Sequence, residues 1–425
     1  MRAIFLGIAL LPLFADATAA VSPPGEHRTY IVVLAPGAGD VGAVVDDHAR
    51  NLGLFARHVY RHALAGYAAE VPTIALAALK TDPRVAQVVP EQTFAATDRG
   101  LPIGIDRVDA DLSPTARIDS VDEPRADVDV AVLDTGIDAR HPDLNVVGRH
   151  DCQGGNELDD PDGHGTHVAG IIGGLDNGVG VVGVAPGARL WAVRVLDRQK
   201  RASAGELLCG IDWVTGTRLD GNRGNDIEVV NLSMHASGRA DGACGRSNGN
   251  VVHQAICRSV EAGVTYVVSA GNDSADAGRV VPAAFEEVIA VSALADSDGR
   301  PGGHGGRPEC RDDIDDTLAD FSNTGRDVDL IAPGVCVVST EPLYRVRPSA
   351  GEAQEYVNRL GYGVRSGTSS AAPHVAGAAA VYLIGHPEAS PSQVRAALRA
   401  EGSRRWDDDE DVDGIQEPLV NIAKL

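Results

Sequence analysis

Short runs of β-branched and apolar residues recur along the chain, separated by stretches whose apolar positions return every three or four residues. DVDVAVLDTG, ARLWAVRVLD, IEVVNLSM, VTYVVSAGN and EEVIAVSAL are of the first kind. Nearly continuous apolar runs of this length suit strands buried on both faces of a parallel sheet. ELLCGIDWVTGTRL and NVVHQAICRSVEAG lie between them with helical spacing, and HGTHVAGIIGG opens another helix. Strands alternating with helices predict an α/β fold with a doubly wound, mostly parallel sheet from about Gly100 onward. In such sheets, sites form at the carboxyl ends of the strands.

The first hundred residues read differently. RTYIVVL alternates like a strand, VGAVVDDHARNLGLF is helical, and HVYRHALAGYAAEV is a strand pair turning near Ala65 and Gly66. TIALAALK is a second helix and VAQVVPEQ a last strand. This βαββαβ order predicts a small α+β, ferredoxin-like sandwich. With no cysteine and only about seventy residues, such a domain is marginally stable and leans on a partner. Ahead of it, Arg2, the apolar run Ala3–Phe14 and the small residues Ala17 and Ala19 have the form of a secretory signal, residues 1–19. That run is too short to span a bilayer, and no membrane segment is expected elsewhere.

Composition narrows the function. The chain has 425 residues, 44% of them apolar, with a net charge of −23, so it can bury a large core but has no basic surface for nucleic acid. An acidic exported protein is soluble and, where carboxylates cluster, suits calcium. Six cysteines in an exported chain imply disulfides. About fifteen pairings are possible. Proximity favours Cys244–Cys257 and Cys310–Cys336, which leaves Cys152–Cys209.

The candidate chemistry lies in three strings. In RSGTSSAAPHVAG, Ser369 stands at the start of an alanine-rich helix, with Pro373 expected in the first turn. A serine there is ordinarily a cap. It is also well placed as a nucleophile, beside unpaired N–H groups that suit a developing oxyanion. Asp134 ends the buried strand of VLDTGID, and His164 opens a helix in DGHGTHVAG. A carboxylate, an imidazole and a hydroxyl at strand ends and helix starts can act as orienter, base and nucleophile.

The order Asp–His–Ser, with the strings DTGID, HGTHVAG and GTSSAAPHVAG, closely resembles the subtilisin family of serine proteases. That resemblance implies a secreted serine endopeptidase working through an acyl-enzyme, with Asp134, His164 and Ser369 catalytic. Asn272 of VVSAGND would be the oxyanion-hole amide. Polypeptide substrates would bind as extended strands between Ser233, Met234, His235 and Ala236 on one side and Ser269, Ala270 and Gly271 on the other. Where the family usually has Ser-Leu-Gly-Gly, this chain has Ser-Met-His-Ala, a bulkier wall. His167 and His374 are read as packing residues.

YIVVL, GYAAEV and DPRVAQVVPEQ resemble the family's inhibitory propeptide. Residues 20–97 would then template folding and inhibit intramolecularly, residues 98–425 would form the peptidase, and the cut would fall between Ala95 and Gly100. If Ala96 or Thr97 precedes the cut, the pocket for that side chain is small. A monomer is expected. LDNGVGVVGVAP resembles the family's calcium loop. It implies a structural Ca²⁺ held by the carbonyls of Leu175, Val179 and Val181 and the side chains of Asn177 and Asp143. The family's N-terminal ligand falls at Arg99, which cannot serve, though Asp98 can substitute. The alternative function is a catalytically inactive subtilase-fold binding module. GRSNG, residues 245–249, lacks the preceding strand of a nucleophile elbow, and DDDEDVDG, residues 407–414, reads as a solvated acidic turn.

Overall fold

Apolar runs become strands and amphipathic stretches become helices in a computed structural model that describes residues 27–425, apart from 62–63, 91–100, 123–124, 155–158, 344–360 and 408–412. The expected signal, the processing segment around Ala95–Gly100, Asp98 and Arg99, and most of the acidic turn lie outside the described residues. The chain divides into two units, Met1–Asp98 and Arg99–Leu425.

The first unit runs β1 (His27–Leu34), α1 (Val41–Leu52), β2 (Phe55–Tyr60), β3 (Gly66–Pro72), α2 (Leu76–Thr81) and β4 (Val85–Pro90). Its four strands form an antiparallel sheet in the order β2-β3-β1-β4. Val32, Val44, Val45, Tyr67 and Leu79 fill its core. Asp40 caps α1 by accepting the Ala43 N–H, and Gly53 ends it in the left-handed region.

The second unit begins with α3 (Ile103–Arg107), β5 (Asp129–Asp134), β6 (Val146–Asp151), α4 (His164–Gly173), β7 (Arg189–Arg194), α5 (Ala204–Thr217), β8 (Val229–Leu232) and the short β9 (Ala236–Ser237). It continues through α6 (Val251–Glu261), β10 (Thr265–Ser269), β11 (Val280–Val281), β12 (Ile289–Ala295), β13 (Thr317–Leu318) and β14 (Leu330–Pro333). It closes with β15 (Val337–Thr340), β16 (Tyr362–Arg365), α7 (Thr368–Gly385) and α8 (Pro391–Glu401). The main sheet has the order β13-β12-β10-β8-β5-β7-β6, with β14 beside β12; only β13 pairs antiparallel.

Side chains along β5 alternate between two cores. Val130 and Val132 meet the apolar residues of α4 and α7, while Ala131 and Leu133 meet Ile211 and Val214 of α5 and Ile256 of α6. Both faces are therefore covered, and the expected doubly wound sheet is the one observed. Capping boxes start α5 (Ser203, Glu206) and α8 (Ser390, Gln393). Cys152–Cys209, Cys244–Cys257 and Cys310–Cys336 are disulfides, as proximity suggested. Helix α7 is enclosed along most of its length: fourteen of its eighteen residues are buried, so it has no solvated face.

Candidate active site

Asp134 is the last residue of the fully buried β5, and His164 is the first residue of α4. The imidazole donates its Nδ1–H to Asp134 Oδ1 at 2.7 Å and Oδ2 at 2.9 Å. That leaves Nε2 as the acceptor. Thr135 adds its N–H to the same Asp134 Oδ1 (2.7 Å), so the carboxylate cannot rotate away. The two elements meet closely because residue 165 is glycine. A Cβ there would stand 2.1 Å from the Gly136 carbonyl oxygen and 3.1 Å from Asp134 Cβ.

Asp160, a residue the sequence reading passed over, fastens this junction. Its buried carboxylate accepts the Thr135 hydroxyl (2.7 Å), the Gly163 N–H (2.7 Å), and the Thr166 N–H and hydroxyl (2.8 and 2.7 Å). It thereby caps α4 and ties it to β5. No local capping pattern marks it, because the cap position itself is Gly163 and Asp160 stands three residues earlier.

Ser369 is the second residue of α7, where its N–H has no helical acceptor. The expectation for Pro373 needs correction. It is the sixth residue, inside the helix, and its missing N–H frees the Ser369 carbonyl. Ser233 Oγ fills the gap, donating to that carbonyl at 2.9 Å, and Asn231 donates to Ser233 Oγ at 2.9 Å. The proline therefore couples the end of β8 to the turn that carries Ser369.

Asn272 follows β10. Its Oδ1 accepts both the N–H and the hydroxyl of Thr368 at 2.8 Å, which aims Nδ2 the other way. Beside Gly367, the point where a Cβ would stand lies 2.9 Å from Ser369 Oγ and 3.5 Å from Asn272 Nδ2. Hydroxyl and amide thus converge on one small space. Asn323 holds the loop beyond, accepting the N–H of Asp273 (3.0 Å) and of Ala275 (2.9 Å) and donating to the Ala270 carbonyl (2.9 Å).

The expected pocket walls lie at the ends of the neighbouring parallel strands β8 and β10. Ser233, Ser269, Ala270 and Gly271 are buried, and Met234 packs on the core under α5 and α6. Ala236 pairs with Val281 in the β9–β11 ribbon. His235 reaches across to the other wall, its Nε2 3.3 Å from Asp273 Oδ2.

Comparison with known proteins decides the family. Residues 125–413 match the subtilase family, peptidase S8. The chain belongs to the subtilase family.

It is 36% identical over 357 residues to an extracellular serine proteinase of Thermus sp. (strain Rt41A), covering 82% of this chain and 74% of that protein. It is 32% identical over 338 residues to subtilisin E of Bacillus subtilis (strain 168), covering 78% and 74%. A crystal structure of a cold adapted subtilisin-like serine proteinase superposes with a TM-score of 0.56 at 28% identity, over 76% of this chain and 98% of that one. The subtilase is a serine endopeptidase.

The expected calcium residues are gathered around one carboxylate in this subtilase. Buried Asp143 accepts the Asn177 amide (2.9 Å), the Val181 N–H (3.0 Å) and the Tyr362 hydroxyl (3.2 Å). Asn177 Oδ1 in turn accepts the Val179 N–H (2.9 Å), and the Leu175 N–H donates to the Asp143 carbonyl (3.0 Å). The donor set is hard oxygen, which fits Ca²⁺. Asn177, however, turns its nitrogen rather than its oxygen toward Asp143. Tyr362 was not singled out from sequence, because nothing local marks a residue 219 positions away in the chain.

Three histidines of the HGTHVAG and GTSSAAPHVAG strings have different electrostatics. Burial pulls the His164 imidazole down, but the charge and hydrogen bonds of Asp134 outweigh it, and its pKa is raised. His167, buried and donating to the Val337 carbonyl (3.0 Å), is held well below the ordinary range by burial and then by the Arg365 charge. His374, buried and donating to the Ser370 carbonyl (2.9 Å), is pushed by burial down to about 4. Both are packing residues. In a Ser369→Ala variant, NMR of the assigned imidazoles should show His164 titrating above the ordinary histidine value, with His167 and His374 neutral at about pH 7. Titration of His167 or His374 near neutrality would contradict this arrangement.

Proposed function

We propose that this subtilase is a secreted endopeptidase made as a zymogen, in which Ser369 attacks the scissile carbonyl. Its proton passes to His164 Nε2, and Asp134 steadies the imidazolium. The oxyanion accepts from Asn272 Nδ2 and the Ser369 N–H. Collapse expels the amine, which takes the proton from His164, and water repeats the sequence to free the acyl group. The observation that carries this reading is the convergence of Ser369 Oγ and Asn272 Nδ2 on one space, with the Asp134–His164 pair at the carboxyl end of the same sheet, where β5 meets α4. Since a raised His164 must lose its proton to act as base, activity climbs as pH rises through its pKa. The intact set of four groups argues against an inactive binding module.

Residues 20–97 act as the inhibitory propeptide, and the enzyme itself cuts between Ala95 and Gly100. Produced with its leader in an exporting host, the wild type is expected to yield a mature chain starting within residues 95–101 that phenylmethylsulfonyl fluoride labels at Ser369. Ser369→Ala should stay uncut, and Asn272→Leu should lose about 10²–10³ in kcat. A start outside that window, or no labelling together with no casein cleavage, would defeat the proposal.

Strand order supports a small acyl-side pocket. β8 lies between β5, which carries Asp134, and β10, which leads to Asn272. The leaving group departs toward His164, so the acyl side chain turns toward the β8–β10 crevice. There the His235–Asp273 bridge spans both walls. Ala95, Ala96 and Thr97 in the processing segment are equally small. On peptide substrates, His235→Gly should raise kcat/KM for Phe relative to Ala before the cut by about tenfold. An unchanged ratio would remove the bridge from specificity.

A structural Ca²⁺ is held at Asp143 and Asn177, with the carbonyls of Leu175, Val179 and Val181. Turning the Asn177 amide would present its oxygen, and the cation would replace the hydrogen bond to Asp143. Chelation by EDTA should shorten the half-life at elevated temperature, and Asp143→Asn should abolish the response. Equal half-lives with and without EDTA would exclude the site.

A further inference from the structure

A buried ion pair stands beside the base and takes no part in the steps above. Arg365, at the end of β16, and Glu341, just past β15, meet side-on, Nε to Oε1 at 2.6 Å and Nη2 to Oε2 at 3.1 Å. Glu341 is fully buried and Arg365 nearly so. The ladder pairs Arg365 with Val337 and Thr340 with Tyr362, and the Glu341 N–H bonds the Gly361 carbonyl (2.6 Å), so the two residues sit toward opposite ends of the ribbon. They meet because the Glu341 side chain lies back over Gly363, where a Cβ would stand 2.8 Å from its Cγ. The pair lies against the turn that launches α4. A Cβ on Gly163, whose φ is +96°, would stand 2.5 Å from Glu341 Oε2 and 3.0 Å from Arg365 Nη2. Arg365 Nη2 also approaches the Asp162 carbonyl (3.5 Å), and Nη1 the Asp162 carboxylate (3.7 Å).

Burying two charges is expensive, and apolar residues of similar volume are often as stable or more so. The pair is therefore poorly explained by stability alone. Its position is more telling. His164 is the residue after Gly163, and a carboxylate against this turn also meets the positive end of α4. Other charges act on the imidazole: Asp134 favours its protonated form, while Arg365 and the more distant Lys200 oppose it, and His167 is neutral.

We propose that Arg365 and Glu341 are positioning residues for His164: the guanidinium braces the 162–163 turn, and the carboxylate cancels a positive charge that would disfavour the imidazolium. This rests on His164 being the base. The pair works as a unit, since neither member alone supplies a brace of zero net charge.

The test compares pH profiles of kcat/KM for wild type, Glu341→Gln and the double variant Glu341→Gln/Arg365→Met. His164→Ala serves as the reference. Glu341→Gln leaves Arg365 uncompensated, so its acid limb should move down by roughly half a pH unit or more. The double variant should return the limb to the wild-type position, with kcat lowered several-fold and KM nearly unchanged. Coincident acid limbs in all three, or equal displacement in both variants, would overturn the proposal. If Glu341→Gln does not fold, the double variant alone decides: undiminished kcat overturns it, and a lowered kcat with a wild-type limb supports it. Wild-type turnover by His164→Ala would overturn the assignment of the base and this proposal together. An inactive His164→Ala with coincident limbs overturns the positioning role alone.

Discussion

Burial of α7 on all sides is the constraint from which the rest of the site follows. A helix enclosed by a sheet, by α4 and by α8 can approach its neighbours only through small side chains, and α7 is largely alanine and glycine. A Cβ on Gly377 would stand 2.6 Å from Val184 Cβ, which measures how close that approach is. Such packing leaves the helix no room to slide. Its N-terminus, with Ser369 and Thr368, is thus delivered to one place at the carboxyl end of the sheet.

Hydrogen bonds then lock the strand ends to that terminus. Ser233 bonds the Ser369 carbonyl that Pro373 leaves free, and Asn272 bonds Thr368. Asp160 performs the matching task between β5 and α4. Each link joins a residue of one element to the backbone of another, so the geometry belongs to the sheet and not to any single loop. Preorganised donors and dipoles of this kind need not reorganise when charge develops.

Individuality enters in the segments around this frame. The His235–Asp273 bridge, the Tyr362–Asp143 contact and the Arg365–Glu341 pair all lie just beyond strand ends or on the small β15–β16 ribbon. There a side chain can change without disturbing the main sheet.

Local pattern was enough to read β5, β7, β8, β10 and β12, the helices α4 to α7 and the three strings bearing Asp134, His164 and Ser369, because each depends on neighbours in the chain. Continuous apolar runs imply a sheet covered on both faces, and that is what β5, β8, β10 and β12 are. Asp160 carries no such local mark, since it stands three residues before the cap position Gly163. Pro373 was misread, since its effect depends on where α7 starts, and the freed carbonyl finds its partner 136 residues away. Tyr362 on Asp143 and Glu341 on Arg365 carry no local signature at all; a buried charge or hydroxyl is defined by what surrounds it. The sequence by itself determined the main strands and helices and the strings that hold Asp134, His164 and Ser369. Only the tertiary structure decided which buried polar groups face one another, because those partners are set by packing between segments far apart in the chain.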